Sequence, residues 1–462
     1  MLGVNHSVRS PNKAGTDSLI RDYDFIRKDK FHQDIEFSRA SGATQTNSSG
    51  LVAFAPNNVI KSSEDIINDW IIRGSVSITA GHSDPDGGTT AYLFDGLIGS
   101  GLGDAYINVR GLQPNAPLVL SFYIKKVTST GTLYINNPQT TGAGQWTVDL
   151  SKIGTGWERI TPSHPAVTVV SPFKVHTNDG AGIHLYSNTG GGLDFYFWHP
   201  QQEVSFSSSD AANDYISTGS GSAVYKERFD FDHQKNAKGL LIEEARTNLF
   251  LNSDTNTWVQ GLNNDSVIRL DNYAISPSGV KDAPKFITTS NNVLKIIAPS
   301  GASPTIGTST LFTFSCFIKK GNTDYVRMYH NDSTSFGVTF NLATGQVHST
   351  TNNGDSNIED YGNGWFRCWY SHTTPSTHSV GSTYIYPTDE NSTITHANEW
   401  SVYLWQPQAE LEGFPTSLIP TYGATASRSA DIAEVTGTNF SRFYKDTEGT
   451  IVADVQMPKG WK

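Results

Sequence analysis

Two similar stretches decide the fold of this chain: Ser121-Phe122-Tyr123-Ile124-Lys125-Lys126 and Ser315-Cys316-Phe317-Ile318-Lys319-Lys320. The longer runs that contain them, LVLSFYIKK and LFTFSCFIKK, alternate apolar with polar positions and contain several aromatic residues. A period of two is typical of a β-strand. Their recurrence at a large separation indicates that the chain carries two copies of one module.

Four further pairs of stretches recur around these strands, always in the same order. They are Asn58-Val59-Ile60 ahead of Trp70 with Asn248-Leu249-Phe250 ahead of Trp258, Pro85-Asp86-Gly87 with Pro277-Ser278-Gly279, Gly154-Thr155-Gly156-Trp157 with Gly362-Asn363-Gly364-Trp365, and Trp198-His199-Pro200-Gln201-Gln202-Glu203 with Trp405-Gln406-Pro407-Gln408-Ala409-Glu410. The spacing between partners drifts, as insertions in loops would make it do. We therefore predict an internal duplication.

Turn sequences such as DPDGG, SNTGGG and GNGW separate the strand-like runs, and no alternation of strands with helices is visible. The sequence predicts an all-β protein with two tandem antiparallel jelly-roll β-sandwiches and an extended N-terminal arm. The predicted divisions are an arm at 1–40, a first module at 41–230, a second module at 236–427, and a linker with the first strand of a further, truncated domain at 428–462.

The two ends of the chain differ from the modules. Residues 1–40 carry mixed charges and few strand signals, so we expect them to order against a partner or another copy of the chain. Near the other end, EGTIVADVQ is typical of a strand. Either the chain is truncated there, or this strand pairs with another part of the molecule.

Composition excludes several classes of protein. A formal net charge of −11 over 462 residues argues against a nucleic-acid binder, which needs basic surface. We expect no membrane insertion, because no run of about 18 apolar residues occurs.

Two cysteines are too few for a disulfide scaffold. Cys316 and Cys368 align with apolar positions of the first copy and are predicted to be core thiols, with a disulfide between them as the alternative.

Three stretches carry a resemblance to a known family. Gly239-Leu240-Leu241-Ile242-Glu243-Glu244-Ala245-Arg246-Thr247-Asn248-Leu249, followed by Trp258, resembles a signature of tail and fibre proteins of tailed bacteriophages, where it opens a jelly roll similar to carbohydrate-binding modules. Phe37-Ser38-Arg39-Ala40-Ser41-Gly42-Ala43-Thr44 resembles the strand before such modules, and Ala426-Ser427-Arg428-Ser429-Ala430-Asp431 resembles the link into a following lectin-like domain. The first copy lacks the Glu and Arg of the signature.

The resemblance implies a structural component of a phage virion, a tail or head fibre. It implies a homotrimer, located in the virion, whose N-terminal arm binds other virion proteins and which adheres to a host-surface glycan. The sequence shows no coiled-coil heptads that would enforce this threefold association. We expect no enzyme, because two copies without a shared polar site fit a component of an assembly better than a free enzyme. The alternative function is a glycan-binding module pair of a polysaccharide-degrading enzyme or of a secreted lectin-like protein.

The candidate ligand-binding residues are aromatic side chains that have no evident counterpart in the other copy. They are Tyr106, Trp146, Tyr325 and Tyr384. The recurring tryptophans are interpreted as core anchors, with a platform for sugar rings as the alternative. These are Trp157, Trp198, Trp365 and Trp405.

Each of the two charged motifs can be interpreted in two ways. Glu243, Glu244 and Arg246 form either a ligand clamp or a structural ion pair. Asp84-Pro85-Asp86-Gly87-Gly88 is either a calcium loop or a Pro-Gly turn, and its counterpart without carboxylates favours the turn. We expect no cofactor, and a structural calcium ion is the one exception that the sequence leaves open. No residue is assigned as a metal ligand. No catalytic residue is assigned, because no nucleophile elbow, phosphate loop or histidine metal motif occurs.

Overall fold

The computed structural model of the chain describes most of its 462 residues. The described residues are 2–5, 23–26, 31–128, 130–138, 144–176, 180–188, 192–258, 267–288, 296–297, 304–330, 336–351, 354–393, 399–447 and 453–457. Much of the predicted arm at 1–40 therefore lies outside the described residues. Among the described residues, no helix is long and apolar enough to cross a membrane.

The chain forms two compact units. Pro56–Lys226 makes up the first-copy unit, and Met1–Ala55 together with Glu227–Lys462 makes up the second-copy unit. The strands of the leading segment are β1 (Leu2–Asn5), β2 (Glu36–Ser38), β3 (Thr44–Thr46) and β4 (Val52–Phe54). The compact units thus differ from the predicted division, because residues 1–55 belong with the second copy.

Two antiparallel sheets form the first-copy unit. Its elements are β5 (Asn57–Asn58), α1 (Ile66–Asp69), β6 (Ile71–Gly74), β7 (Ser77–His82), β8 (Ala91–Leu97), β9 (Gly103–Val109), β10 (Leu118–Lys126), β11 (Thr132–Asn136), β12 (Gln145–Asp149), a 3-10 helix (Leu150–Lys152), β13 (Glu158–Ile160), β14 (Val167–Ser171), β15 (Ala181–Ser187), β16 (Leu193–Val204) and β17 (Val224–Tyr225). One sheet has the order β13-β10-β16-β8-β7, and the other has the order β14-β12-β11-β15-β9-β6.

The second-copy unit has the same kind of architecture. Its remaining elements are β18 (Phe229–Phe231), β19 (Ala237–Ile242), β20 (Arg246–Asn248), a 3-10 helix (Thr255–Thr257), β21 (Val267–Ile275), β22 (Lys281–Thr288), β23 (Ile296–Ile297), β24 (Thr305–Ile306), β25 (Leu311–Lys320), β26 (Tyr325–His330), β27 (Gly337–Asn341), β28 (Gln346–Thr351), β29 (Asp355–Asp360), β30 (Trp365–Thr373), β31 (His378–Ser379), a 3-10 helix (Val380–Ser382), β32 (Thr383–Thr388), β33 (Trp400–Leu411), β34 (Ala426–Arg428), β35 (Ile432–Glu434), α2 (Gly437–Ser441) and β36 (Asp454–Gln456). Its two main sheets have the orders β21-β22-β33-β25-β30-β29 and β23-β32-β26-β27-β28.

The strand orders of the two units match. The corresponding sheets have the orders β13-β10-β16-β8-β7 and β30-β25-β33-β22-β21. When these orders are aligned, β10 corresponds to β25 and β16 corresponds to β33. Both long strands also contain a bulge at the same place, where His199 (φ 52°) and Gln406 (φ 46°) adopt the left-handed region. The fold is therefore all-β, with two tandem antiparallel β-sandwiches as the sequence predicts.

Each sandwich is held together by a core of apolar residues between its two sheets. The alternation in β10 and β16 turns Phe122, Ile124 and Phe197 inward in the first-copy unit, where all three are buried. In the second-copy unit the corresponding strands bury Cys316, Ile318 and Leu404. Burial of such side chains is the main source of stability for a sandwich of this size.

The two ends of the chain pair with each other and with the second copy. Strand β2 pairs with β35, and β1 lies between β19 and β36 in a four-stranded sheet ordered β18-β19-β1-β36. The C-terminal strand predicted from EGTIVADVQ is thus β36 in its described part, and it pairs within the chain. A role for residues 1–40 in attachment to other proteins stays a prediction.

Candidate functional site

The strongest candidate site is the outward face of the sheet β14-β12-β11-β15-β9-β6. Alternation along β11 turns Leu133 and Ile135 into the core and leaves Tyr134 and Asn136 on the outer face. The same parity places His184 and Tyr186 of β15, and Asp104 and Tyr106 of β9, on that face. The register aligns them, because Tyr134 pairs with Tyr186 and His184 pairs with Tyr106.

A charged cluster lies at one end of this face. The Asp104 carboxylate accepts two hydrogen bonds from Arg73, at 2.7 Å from Nε and 2.5 Å from Nη2, and one from the Gly101 N–H at 2.6 Å. His184 Nε2 lies 2.9 Å from the same carboxylate. Burial opposes ionisation of Asp104, but these partners hold its pKa below the usual value.

The imidazole of His184 is kept neutral. Burial lowers the pKa of His184, and the Asp104 carboxylate opposes that shift without reversing it. The ring therefore donates through one nitrogen to Asp104 and carries no full charge at neutral pH. With Asp104 and Arg73 compensating each other, the cluster presents a fixed set of polar groups and no large net charge.

Aromatic rings continue the face away from the cluster. The ring of Tyr106 meets His184 edge-on at 5.7 Å, and His184 lies 5.0 Å from Tyr186. Tyr186 in turn stacks on Tyr134, with ring centroids 5.2 Å apart and an interplanar angle of 20°. The guanidinium of Arg73 lies 4.8 Å from the centre of the Tyr106 ring. These contacts fix the ring orientations.

The amide of Asn136 is the next feature of this face. Asn136 Nδ2 donates to the Tyr186 hydroxyl at 3.0 Å, which fixes the amide. Its Oδ1 is buried and, among the described residues, accepts no hydrogen bond. The surrounding cavity has a volume of about 590 Å³, within the usual range for ligand pockets. Five of the residues that line it are Arg73, Tyr106, Asn136, His184 and Tyr186.

The second-copy unit carries a related but different face. Tyr329 of β26 pairs with Tyr384 of β32, and their rings stack with centroids 6.1 Å apart. Strands β26 and β32 hold the places in their sheet that β11 and β15 hold in the first copy. Tyr384 therefore has a counterpart, Tyr186, although the sequence comparison found none.

The predicted ligand-binding residues fall into three groups. Tyr106 lies on the first-copy face, while Tyr325 and Tyr384 are half-buried on the sheet of the second-copy unit. Trp146 is 0% exposed and packs edge-on against Phe173 at 5.5 Å. This corrects the prediction for Trp146, because a core side chain has no surface on which a ligand could stack.

Sequence reasoning missed most of the first-copy face. The missed residues are Arg73, Asp104, Tyr134, Asn136, His184 and Tyr186. The alternation in TLYIN and AGIHLYS could have placed Tyr134, His184 and Tyr186 on outward positions. Strand register, which brings the three strands together, carries no such local signal.

The recurring tryptophans are mostly buried. Trp198, Trp365 and Trp405 are buried, and Trp157 is half-buried beside Trp198 with ring centroids 6.5 Å apart. The indole N–H of Trp405 donates to Asp282 at 3.0 Å, and that of Trp198 donates to Thr90 at 2.8 Å. Burial and these hydrogen bonds therefore give the tryptophans a structural role and leave the three buried rings no surface for a sugar.

The charged motifs have structural partners. Glu243 is buried and bonded to Arg228 (2.6 Å), which argues against the ligand clamp, and Arg246 pairs with Glu244 at 2.6 Å. Asp84 accepts backbone N–H groups of Asp86, Gly88 and Thr90 and forms a turn. Among the described residues, no group of three or more acidic, cysteine or histidine side chains could hold a metal ion.

The two cysteines face each other inside the second-copy core. Cys316 and Cys368 are direct partners in the β25–β30 register, and both are free thiols in this structure. Burial raises the pKa of each thiol, so neither is a reactive thiolate at neutral pH. They occupy core positions, as the comparison of the two copies predicts.

Comparisons with known proteins yield only distant structural similarity. No protein-family model matches the chain, and no curated protein is similar to it in sequence. The tandem CBM22-1–CBM22-2 domain of Paenibacillus barcinonensis Xyn10C is 12% identical, covers 77% of this chain and 98% of its own, and has a TM-score of 0.25. A proposed sugar-binding protein of Bacteroides thetaiotaomicron is 10% identical, covers 36% and 100%, and has a TM-score of 0.23. Similarities at these TM-scores support no conclusion about ligand or activity.

Proposed function

We propose that this chain is a glycan-binding protein and that the outward face of the first-copy unit is its binding site. One observation carries the proposal: Tyr186, on whose ring Tyr134 stacks, lines a cavity of about 590 Å³ together with Asn136, whose Oδ1 accepts no hydrogen bond from the described residues. A sugar residue has an apolar ring face and polar hydroxyl groups at its edge. Fixed aromatic rings next to fixed polar groups recognise both.

The polar groups of the face suit hydroxyl groups of a sugar. Asn136 Oδ1 accepts a hydroxyl hydrogen, and Arg73, which is 40% exposed, retains N–H groups that can donate. The mutual contacts among Arg73, Asp104 and His184 hold these groups before a ligand arrives. Preorganisation of this kind reduces the free energy lost when the ligand binds.

A role in a virion is a separate proposal. It rests on the resemblance of Gly239–Leu249 and its two companion stretches to phage tail and fibre proteins, and with it go the homotrimer, the virion location and attachment through residues 1–40. Mass determination in solution tests the trimer, and a stable monomer would contradict it. Glycan binding and a fibre role are compatible, because a fibre that adheres to a host needs a binding face.

The binding site is tested first with a glycan array and then by calorimetry with the best ligand. We expect Tyr134→Ala and Asn136→Ala each to weaken binding about tenfold, because one removes a stacking ring and the other an acceptor. Tyr273→Ala is the control, since Tyr273 is 48% exposed and belongs to the other unit. An array without any binding, or unchanged affinity in both variants, would remove the proposal.

A further inference from the structure

A second polar cavity lies within the second-copy unit. Its volume is about 410 Å³, and it lies where β18 and β19 meet the outward face of β29 and β30. Trp369 and Arg367 of β30 face it together with their register partners Asn357 and Glu359 of β29. We call it the β29–β30 pocket; Asp230 of β18 and Lys238 of β19 also line it.

Two buried donors in this pocket have no acceptor in the part of the chain that the structure describes. Trp369 is 1% exposed and Arg367 is 3% exposed. Among the described residues, none accepts a hydrogen bond from Trp369 Nε1 or from Arg367 Nε. Buried N–H groups are rarely left unpaired, because each one has given up its hydrogen bond to water. Both residues line the pocket, so their two N–H groups lack an acceptor among the described residues that surround it.

These donors are held rigidly. Arg367 Nη2 donates to the Ser315 hydroxyl at 3.2 Å, and the guanidinium lies 5.4 Å from the centre of the Phe317 ring. Trp369 is fixed by its register between Ser315 of β25 and Asn357 of β29. Neither side chain can turn to find another partner without leaving its packed position.

The charge of the pocket narrows the class of ligand. Its four carboxylates outnumber its two cationic side chains. They are Asp230, Asp232, Glu359 and Asp360 against Lys238 and Arg367. An excess of carboxylates repels an anion, and inward-facing N–H donors repel a metal ion. Neither repulsion acts on a neutral ligand that both accepts and donates hydrogen bonds.

Acceptors for such a ligand are also present. Glu359 is half-buried and lies directly across the strand pair from Arg367. Asp230 already accepts the Thr46 N–H at 2.9 Å and has Lys238 Nζ at 3.7 Å. Glu359 is therefore the side chain best able to accept a hydrogen from a ligand hydroxyl.

We infer that the β29–β30 pocket binds a neutral polyhydroxyl compound, of the size of one sugar residue. A ligand oxygen accepts from Trp369 Nε1 and Arg367 Nε, and a neighbouring hydroxyl donates to Glu359. This site is independent of the proposed glycan-binding face, because it belongs to the other unit and to a sheet face built from different strands.

The test follows the indole N–H signal of Trp369 by NMR in the full chain labelled with ¹⁵N at tryptophan indoles. Ten tryptophans give ten signals, and Trp369→Phe identifies the relevant one by its loss. Glucose, galactose, mannose and sorbitol are added separately. We expect at least one to shift the Trp369 signal saturably, with a Kd on the order of 1 mM. Trp146 is the matched internal control, since its indole N–H is also buried and unpaired but lies in a core.

Two variants make the result specific. Glu359→Gln keeps the Trp369 signal and should raise the Kd of the added compound about tenfold. If Trp369→Phe fails to fold, Glu359→Gln becomes the decisive variant. Tyr134→Ala, on the glycan-binding face, should leave the titration unchanged. Loss of binding in Tyr134→Ala would mean that the signal reports the other site and would overturn the inference.

Two further results would also overturn it. The first is a Trp369 signal that none of the four compounds shifts. The second is a larger shift with sodium sulfate or calcium chloride than with any of them, because the pocket would then be an ion site. Neither result bears on the glycan-binding face, which calorimetry tests separately.

Discussion

The guanidinium of Arg39 lies 2.7 Å from the carboxylate of Asp431, and 392 residues separate the two in sequence. Both side chains are fully buried. The same carboxylate also pairs with Arg228, and Glu243 bridges Arg228 (2.6 Å) and Arg428 (3.0 Å). Three arginines and two acids thus form one buried network in the second-copy unit.

This network joins three stretches that lie far apart in the sequence, 37–44, 239–249 and 426–431. Arg39 comes from the first stretch, Glu243 from the second, and Arg428 and Asp431 from the third. Each supplies a charge that the others neutralise. These residues therefore hold the chain's leading segment and its 416–434 segment to the second copy.

Removing Asp431 should destabilise the second-copy unit strongly. Asp431→Ala leaves Arg39 and Arg228 buried with fewer acids to neutralise them, which typically costs about 3–5 kcal/mol. The measurement is the free energy of unfolding in urea. Asp271→Ala is the control, because its pair with Arg269 is half-exposed and such pairs contribute about 0–1 kcal/mol. Equal losses in the two variants would show that the network contributes no more than a surface ion pair.

Acid should weaken the network through Glu243. Burial alone would raise the pKa of Glu243, but Arg428, Arg228 and Ser417 hold it well below the usual value of 4.5. A lowered folded-state pKa gives stability that is present above pH 4.5 and lost as pH falls toward the folded pKa. Stability should therefore fall below about pH 4.5.

The Glu243→Gln variant isolates this contribution. It should be less stable than the parent chain at pH 7, and the difference should shrink steadily between pH 4.5 and pH 3 in urea unfolding. Glu244→Gln is the control, because the Glu244 side chain is 62% exposed. A difference that stays constant over this range would mean that the Glu243 pKa is not lowered by folding.

The sequence allowed the strands to be predicted better than the site. Alternation in QWTVD places Trp146 and Val148 on one parity and Thr147 on the other, and Val148 is a core residue. That pattern could have placed Trp146 in the core, but we predicted it to be a ligand-binding residue because it had no counterpart in the other copy. The pairing of Tyr134 with Tyr186 depends on register between strands some 50 residues apart, which local sequence does not encode.

The buried network could not be predicted from the periodicity of the sequence either. Periodicity identifies faces of strands, whereas Arg39 and Asp431 lie in short strands and loops whose partners are hundreds of residues away. The three stretches could be identified by resemblance, but their convergence on one cluster required the fold. For the same reason the β29–β30 pocket could not be predicted.

Asp282 should produce a pH effect of opposite sign. Burial raises the pKa of Asp282 to about 6, with hydrogen bonds from Ser276 and Trp405 opposing the shift. A raised folded-state pKa gives stability that is fully present below the usual value of 3.8 and lost as pH rises through about 6. The second-copy unit should therefore lose stability between about pH 4 and pH 6 through this group.

Replacing the carboxyl by an amide should remove that loss. In Asp282→Asn the amide oxygen can still accept from Trp405 Nε1, and no charge is buried at neutral pH. We expect the variant to be more stable than the parent at pH 7, by on the order of 2–3 kcal/mol, and equal to it near pH 4. Asp355→Asn serves as the exposed control. A variant less stable than the parent at pH 7 would contradict the raised pKa.

The duplicated asparagines Asn58 and Asn248 should make equivalent contributions to their own units. Asn58 Oδ1 accepts the N–H of Ile60 at 3.1 Å, and its Nδ2 donates to the Ile216 carbonyl at 2.8 Å. Asn248 Oδ1 accepts the N–H of Phe250 at 3.0 Å, and its Nδ2 donates to the Ile419 carbonyl at 2.8 Å. Both side chains are fully buried. Alanine in either place leaves buried backbone groups unpaired, which costs about 1–3 kcal/mol for each group.

Fluorescence-detected and calorimetric unfolding of the two variants tests this equivalence. Asn58→Ala should lower the unfolding temperature of the first-copy unit, and Asn248→Ala should lower that of the second-copy unit by a similar amount. Asn236→Ala is the control, because Asn236 is exposed and its side-chain Nδ2 donates to Asp232, which lies four residues away. A lowered unfolding temperature in only one of the two variants would contradict the prediction. The same backbone groups would then be satisfied differently in the two units, and the asparagine would not be a shared requirement of the duplicated fold.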